Sequence, residues 1–182
     1  GKPLDNDIDL ATDAVPSEVI KLAGNANFKV NPTGIKHGTV TVIVGNEKFQ
    51  VTTFRSDIST DGRYAEVKFS KNIKQDALRR DFTMNAIYLT REGEFVDPLF
   101  AWNDLINGEV KFVGKPSDRI EEDYLRVLRY FRFFAIYGGP SSQYSSDTLL
   151  ACSLALDGLK KVSNEAITTK VDSIFFIIIK CN

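Results

Sequence analysis

DNDIDLAT, from Asp5 to Thr12, is the stretch on which the reading of this chain turns. A polar start runs into an alternating segment, and Ile8 to Thr12 suits a β-strand. Side chains two apart on a strand share a face, so Asp7 and Asp9 point the same way. Two such carboxylates repel each other unless a cation neutralises them. Mg²⁺ takes oxygen ligands and leaves room for substrate phosphates. The triplet alone does not choose a chemistry. A surface loop with scattered acids reads the same way, and glycosyltransferases use an Asp-x-Asp for a nucleotide-sugar.

Two charged motifs follow at long range. The first is RRDFTMNA, Arg79 to Ala86, placed where a helix beginning at Ile73 should end. Arginines at such a turn can grip triphosphate oxygens in bidentate fashion. Asp81 and Asn85 can bond a ribose hydroxyl or orient the arginines. A helix end whose charges simply suit the dipole has the same composition.

The second motif is EEDYLRVLRYFRF, Glu121 to Phe133. Read as one helix from Arg119 to Tyr137, it places Ile120, Tyr124, Val127, Leu128, Phe131 and Phe134 on one apolar stripe. Arg119, Glu122, Arg126 and Arg129 fall on the other side. Asp123 lies roughly 60° from Arg126 in that projection, one turn below it. A carboxylate beside a guanidinium presents an acceptor and a donor. Cytosine and adenine both show an amino group next to an unprotonated ring nitrogen, which Asp123 and Arg126 would match. Guanine and uracil leave the pair unmatched, at a cost of about 1–3 kcal/mol. An amphipathic helix with ion pairs at i,i+3 is the plainer reading of the same charges.

The 182 residues carry 43% hydrophobic and 26% charged side chains, enough for one domain and part of another. Net charge is −1, so RNA binding has to come from a local patch rather than a global basic field. Basic residues gather between Lys68 and Arg91 and again between Lys111 and Arg132. The two cysteines, Cys152 and Cys181, lack metal-ligand spacing and fit a reducing cytoplasm. No secretory signal opens the chain, and the apolar run Ile174 to Ile179 is far short of a membrane span. No membrane association is expected. That run has the composition of an aggregation-prone strand.

Other elements follow from local signals. Pro16 opens a helix that Gly24 should close. Thr39 to Val44 and Lys48 to Phe54 form a hairpin through Gly45-Asn46. Glu66 to Phe69 is a short strand and Ile73 to Arg80 a helix. Ala86 to Leu89 and Glu94 to Val96 flank a second hairpin turn. Gly138-Gly139-Pro140 ends the long helix, Ser141 to Ser146 is a linker, and Thr148 to Leu156 and Asn164 to Val171 suit further helices. The order predicts an α+β domain feeding an α-helical one.

These motifs together resemble the class II tRNA nucleotidyltransferase family, which includes CCA-adding enzymes and bacterial poly(A) polymerases. The matching runs are DIDLAT (7–12), HGTVTV (37–42), VTTFR (51–55), DGRYAEVKF (61–69), RRDFTMNA (79–86), VDPLFAWNDL (96–105) and EDYLRVLRYFRF (122–133). A weaker match continues through LKKVSNE, Leu159 to Glu165.

The resemblance implies a polymerase-β-like nucleotidyltransferase head with a mixed sheet over residues 1–110, then a helical neck over 111–182 that begins an RNA-binding region. It implies Mg²⁺ on Asp7 and Asp9 as catalytic metal ligands. It implies nucleotide contacts from Arg79, Arg80, Asp81 and Asn85, base reading by Asp123 and Arg126, and further contacts from Arg129 and Arg132. The substrates would be ATP and CTP, and the acceptor the 3′ end of tRNA or another RNA. VDPLFAWNDL resembles the segment associated with switching from CTP to ATP, with Asp97 and Asp104 as structural or hinge residues.

The sequence departs from the family pattern in three places. A Gly-Gly turn followed by Val-Arg-Asp, expected upstream of DIDLAT, is not among the 182 residues. Gln50 stands where relatives often carry Glu, and an amide is a poor Mg²⁺ ligand. No body or tail follows the neck, and Ser173 to Asn182 does not fit the pattern, so an incomplete chain is expected at both ends. CCA addition, poly(A) addition by the same family, and a non-catalytic RNA- or nucleotide-binding remnant all remain open at this point. A glycosyltransferase reading leaves RRDFT and EDxxR unexplained. His37 and Trp102 are expected to be structural, and the oligomeric state stays open.

Overall fold

The computed structural model describes residues 8–61, 64–139 and 142–162. Asp7, the Asn164 to Val171 helix, Cys181 and the Ser173 to Asn182 tail lie outside them. The chain forms two compact units, residues 1–59 with 66–76, and residues 60–65 with 77–182.

The first unit holds β1 (Asp9–Thr12), α1 (Pro16–Asn25), β2 (Lys29–Asn31), β3 (Thr39–Val44) and β4 (Glu47–Thr53). The sheet order is β1-β4-β3-β2. β1 runs parallel to β4, while β3 is antiparallel to both β4 and β2. Val44 pairs with Glu47, leaving a two-residue turn in which Gly45 takes the required positive φ of 61°. α1 covers the sheet through Val19 and Ala23, which pack with Val40 and Val42. The buried hydroxyl of Thr53 donates to the Ala14 carbonyl at 2.8 Å, fastening β4 to the turn before α1.

Pro16 opens α1 as expected. Gly24 does not close it. The amide of Asn27 bonds the Gly24 carbonyl, the amide of Phe28 bonds the Ala23 carbonyl, and Asn27 itself takes φ 58°. This is a Schellman stop with asparagine in the left-handed position, the residue most tolerant of it after glycine.

β5 (Arg55–Asp61) and β6 (Tyr64–Phe69) make a two-stranded ribbon, followed by α2 (Ile73–Leu78). The strand predicted over Glu66 to Phe69 is therefore the end of a longer one. β7 (Tyr88–Leu89) and β8 (Phe95–Val96) pair as the second expected hairpin.

The second unit continues through α3 (Trp102–Ile106), α4 (Pro116–Glu122), α5 (Leu125–Tyr137), α6 (Ser146–Leu154) and α7 (Leu156–Leu159). Its core gathers Phe82, Phe112, Ile120, Val127, Tyr130 and Cys152. Phe82 is fully buried, with its ring 4.9 Å from that of Phe112 and 5.0 Å from that of Phe133. Gly158 in α7 sits directly against Tyr124, and a Cβ there would overlap the ring.

The single helix expected from Arg119 to Tyr137 is two. Asp123 is extended, at φ −156° and ψ 106°, and separates α4 from α5. Its Oδ1 accepts from the Leu125 amide at 3.0 Å and its carbonyl from the Arg126 amide at 2.9 Å. A short acidic side chain that bonds the backbone two residues on competes with helix and starts a new one. The apolar period passes through this break unchanged, which is why periodicity alone joins the two helices. Asp123 and Arg126 therefore do not have the relation that the projection assigned them.

Removing the ring at the centre of the second core should be costly. Phe82→Ala is expected to lower unfolding free energy by about 3–5 kcal/mol, measured by urea denaturation followed by tryptophan fluorescence and circular dichroism.

Candidate nucleotide site

In the first unit, Asp9 opens β1 on the edge of the sheet, and its side chain is exposed. Parallel pairing registers it with Gln50 on β4. The amide thus occupies the strand position beside the carboxylate. Among the described residues, no group of three or more His, Cys, Asp or Glu forms a metal cage. That donor set still fits Mg²⁺, which binds through one or two carboxylates and takes its remaining ligands from water and phosphate. His37 contributes its carbonyl, which accepts from Nη1 of Arg55, and so serves through its backbone.

The second unit brings the RRD and EDxxR segments together. Asp81 is the junction. Its Oδ2 accepts from Nε of Arg129 at 2.7 Å and from Nη2 of the same guanidinium. Its Oδ1 accepts from the Phe82 amide at 2.9 Å and from Nδ2 of Asn85 at 3.0 Å. A carboxylate offers about four acceptor sites, and all are used. Of the two roles left open for Asp81, orienting an arginine is the one its contacts display. Burial would raise its carboxyl, but Arg129, Asn85 and the Phe82 amide together hold it below the usual carboxylate value.

Arg80 lies with its guanidinium 5.7 Å from the centre of the Tyr88 ring, a cation–π contact. Arg129 also lies over Phe133, at 5.6 Å. Arg126 donates through Nη1 to the Arg119 carbonyl at 2.7 Å and to Glu122. Arg132 is half-buried, and its Nε has no hydrogen-bond partner among the described residues. Arg79 is half-buried, and its carbonyl, like that of Arg80, accepts from Arg119.

Arg119 and Glu122 join this network, and neither was among the contact residues expected from the motifs. Their i,i+3 spacing signals an ion pair. Nothing in the spacing signals that the same guanidinium reaches back to Arg79 and Arg80.

Asp97 and Asp104 both hold structure. Asp97 accepts from the Ala101 and Trp102 amides at 2.9 and 2.8 Å, capping α3. Asp104 accepts from the Thr83 hydroxyl at 2.9 Å and from Lys111 at 2.7 Å. Between them Phe100 takes φ 59° and remains 87% exposed.

The mixed sheet with its following helices is the fold of a nucleotidyltransferase head. The chain belongs to the poly(A) polymerase head domain family, whose model matches residues 1–111. It is similar to the mitochondrial CCA tRNA nucleotidyltransferase 1 of Danio rerio, at 43% identity over 162 residues, covering 88% of this chain and 38% of the relative. The CCA-adding enzyme of Bacillus cereus (strain G9842) is 44% identical over 136 residues, covering 72% of this chain and 33% of the relative. Among solved structures, the Bacillus stearothermophilus CCA-adding enzyme in complex with CTP superposes with a TM-score of 0.78 at 32% identity. That match covers 92% of this chain and 39% of the solved one. The chain thus spans well under half the length of each.

The Asp81 junction makes stability depend on acid. A carboxyl depressed in the folded state contributes stability above its unfolded value, near 3.8, and loses it as pH falls through the folded value. Asp81→Asn should therefore flatten the loss of stability below about pH 4. Urea midpoints of both proteins across acid pH check this.

Proposed function

We propose that this chain is the head and the start of the neck of a template-independent RNA nucleotidyltransferase. It would add CMP and AMP to the 3′ end of tRNA, completing CCA, with release of pyrophosphate. Family membership supports this reading. The observation that carries it is the bonding of Asp81 to Arg129, 48 residues apart, which joins the two nucleotide motifs within one unit.

In this mechanism Asp7 and Asp9 would hold Mg²⁺, with Gln50 as a neutral neighbour, and the ion would offset the negative charge that builds on the phosphates during transfer. Arg80 grips the triphosphate, with Arg79 contributing from the same turn. Asn85 keeps its amide oxygen for a ribose hydroxyl, since its nitrogen is committed to Asp81. Asp123, in the break before α5, and Arg126, in its first turn, read the base edge as the family resemblance implies rather than from one helical face, and Arg129 and Arg132 add nucleotide contacts. The RNA 3′ hydroxyl attacks the α-phosphate in line, and pyrophosphate leaves. CTP and ATP are the substrates.

The division into a head of residues 1–110 and a neck of 111–182 belongs to this proposal. The family match over residues 1–111 supports it, although compactness groups the residues differently. A reducing compartment, the cytoplasm, is proposed from the free and buried thiol of Cys152, which burial pushes above its ordinary pKa. Among the described residues, no helix is long and apolar enough to cross a membrane.

The register of Gln50 with Asp9 favours a second reading, a nucleotide-binding chain without catalysis, because an amide adds no charge to the metal site. Labelled CTP and ATP offered with Mg²⁺ and a tRNA lacking its CCA end decide between them. Incorporation that disappears in the Asp7→Ala/Asp9→Ala double variant is the expected result. Incorporation of AMP alone would indicate poly(A) addition, and none by folded protein would favour the non-catalytic reading.

A further inference from the structure

Arg119 is 9% exposed, an unusual position for a guanidinium in a small unit. A charge taken from water persists only where hydrogen bonds replace its hydration. Arg119 obtains them from two directions. Nη2 donates to the Arg80 carbonyl at 2.8 Å and to the Arg79 carbonyl. Nη1 lies 2.6 Å from both carboxylate oxygens of Glu122. Glu122 in turn accepts from Nη1 of Arg126, which also bonds the backbone carbonyl of Arg119 at 2.7 Å. One buried side chain therefore touches the backbone that carries the RRD arginines and, through one carboxylate, the arginine of EDxxR.

We infer that Arg119 is a positioning residue that sets the register between the phosphate-gripping turn and the base-reading Arg126. The inference rests on the proposed nucleotide site, and it adds a residue outside both motifs. The chain of contacts is a relay: the Arg79 and Arg80 carbonyls, Arg119, Glu122, Arg126. Each link is a hydrogen bond to a charged group, the strong kind. Arg126 has its donors aimed by Glu122, and Glu122 has its carboxylate aimed by Arg119. Removing Arg119 leaves two carbonyls and a carboxylate without that donor. The Arg126 guanidinium then loses its fixed direction, although its own side chain is intact. The effect to read is choice of base, because a loosened guanidinium still attracts phosphate but no longer prefers one base edge.

The test compares wild type, Arg119→Met, Glu122→Gln and the double variant of the 182-residue chain. Each is titrated calorimetrically with CTP, ATP, UTP and GTP, and amide hydrogen exchange is followed in parallel. Arg119→Met should lower the preference for CTP and ATP over UTP and GTP at least about fivefold, the lower end of what one bidentate base contact discriminates. Glu122→Gln should lower it similarly, and the double variant should be no worse than either, as members of one relay are not additive. Amides of both 80–85 and 125–129 should exchange faster in Arg119→Met. A wild-type preference kept by folded Arg119→Met, or additive losses, would overturn the inference. If Arg119→Met does not fold, Glu122→Gln carries the same decision. If wild type binds none of the four nucleotides, the proposed function fails instead. Exchange then decides the positioning claim, which is overturned if either segment is unchanged.

Discussion

Asp81 accepts four hydrogen bonds, two of them from Arg129, and through them the 79–86 segment is held to α5. The constraint behind this is electrostatic. A carboxylate with little exposure must be satisfied on every lone pair or take up a proton. Phe82, the next residue, fills the centre of the core, so the chain cannot swing Asp81 out to water without emptying that core. Asn85 is drawn in by the same carboxylate, and the Val113 amide bonds the Asp81 carbonyl at 3.0 Å. Packing thus buries the acid, and the buried acid then dictates where Arg129 and Asn85 stand.

The first unit answers a different requirement. β1 lies on the sheet edge, and parallel pairing with β4 needs a crossover, which α1 begins. An edge strand with an exposed Asp9 leaves one side of the carboxylate to solvent or substrate. Its neighbour in register is Gln50, which can donate and accept hydrogen bonds but brings no charge. The metal charge would then be met mainly by the DxD acids and by phosphate. In the second unit, by contrast, Arg80, Arg119, Arg126 and Arg129 meet acids, carbonyls or rings. The two halves of the proposed chemistry are built on opposite principles, one open and one heavily bonded.

Much of this architecture was legible in the sequence. The Gly45-Asn46 turn, the proline start of α1 and the Arg91-Glu92-Gly93 turn all rest on local chemistry, and each appears where that chemistry puts it. The glycine rule failed at Gly24 because Asn27 could take the left-handed position two residues beyond the helix. The helix break at Asp123 was hidden because Ile120, Tyr124 and Val127 keep a helical period across it. Its one local sign was an aspartate able to bond the backbone ahead of it. The charged residues of the site could be named, but their partners could not. Arg119 with Glu122 is a pair that spacing reveals. Asp81 with Arg129, and Arg119 with the carbonyls of Arg79 and Arg80, join residues 39 to 48 apart, and no periodicity reports such distances.

Gly158 shows how far the influence of such a site extends. It has no side chain and belongs to no motif, yet it lies against Tyr124, the residue that follows Asp123 in the break between α4 and α5. Any substituent there must displace that ring, and the ring is joined by one peptide to the aspartate proposed to read the base. In terms of heredity, position 158 would be a locus where a missense change disturbs the break between α4 and α5 while every motif residue stays intact. A survey of variants confined to the motifs would overlook it.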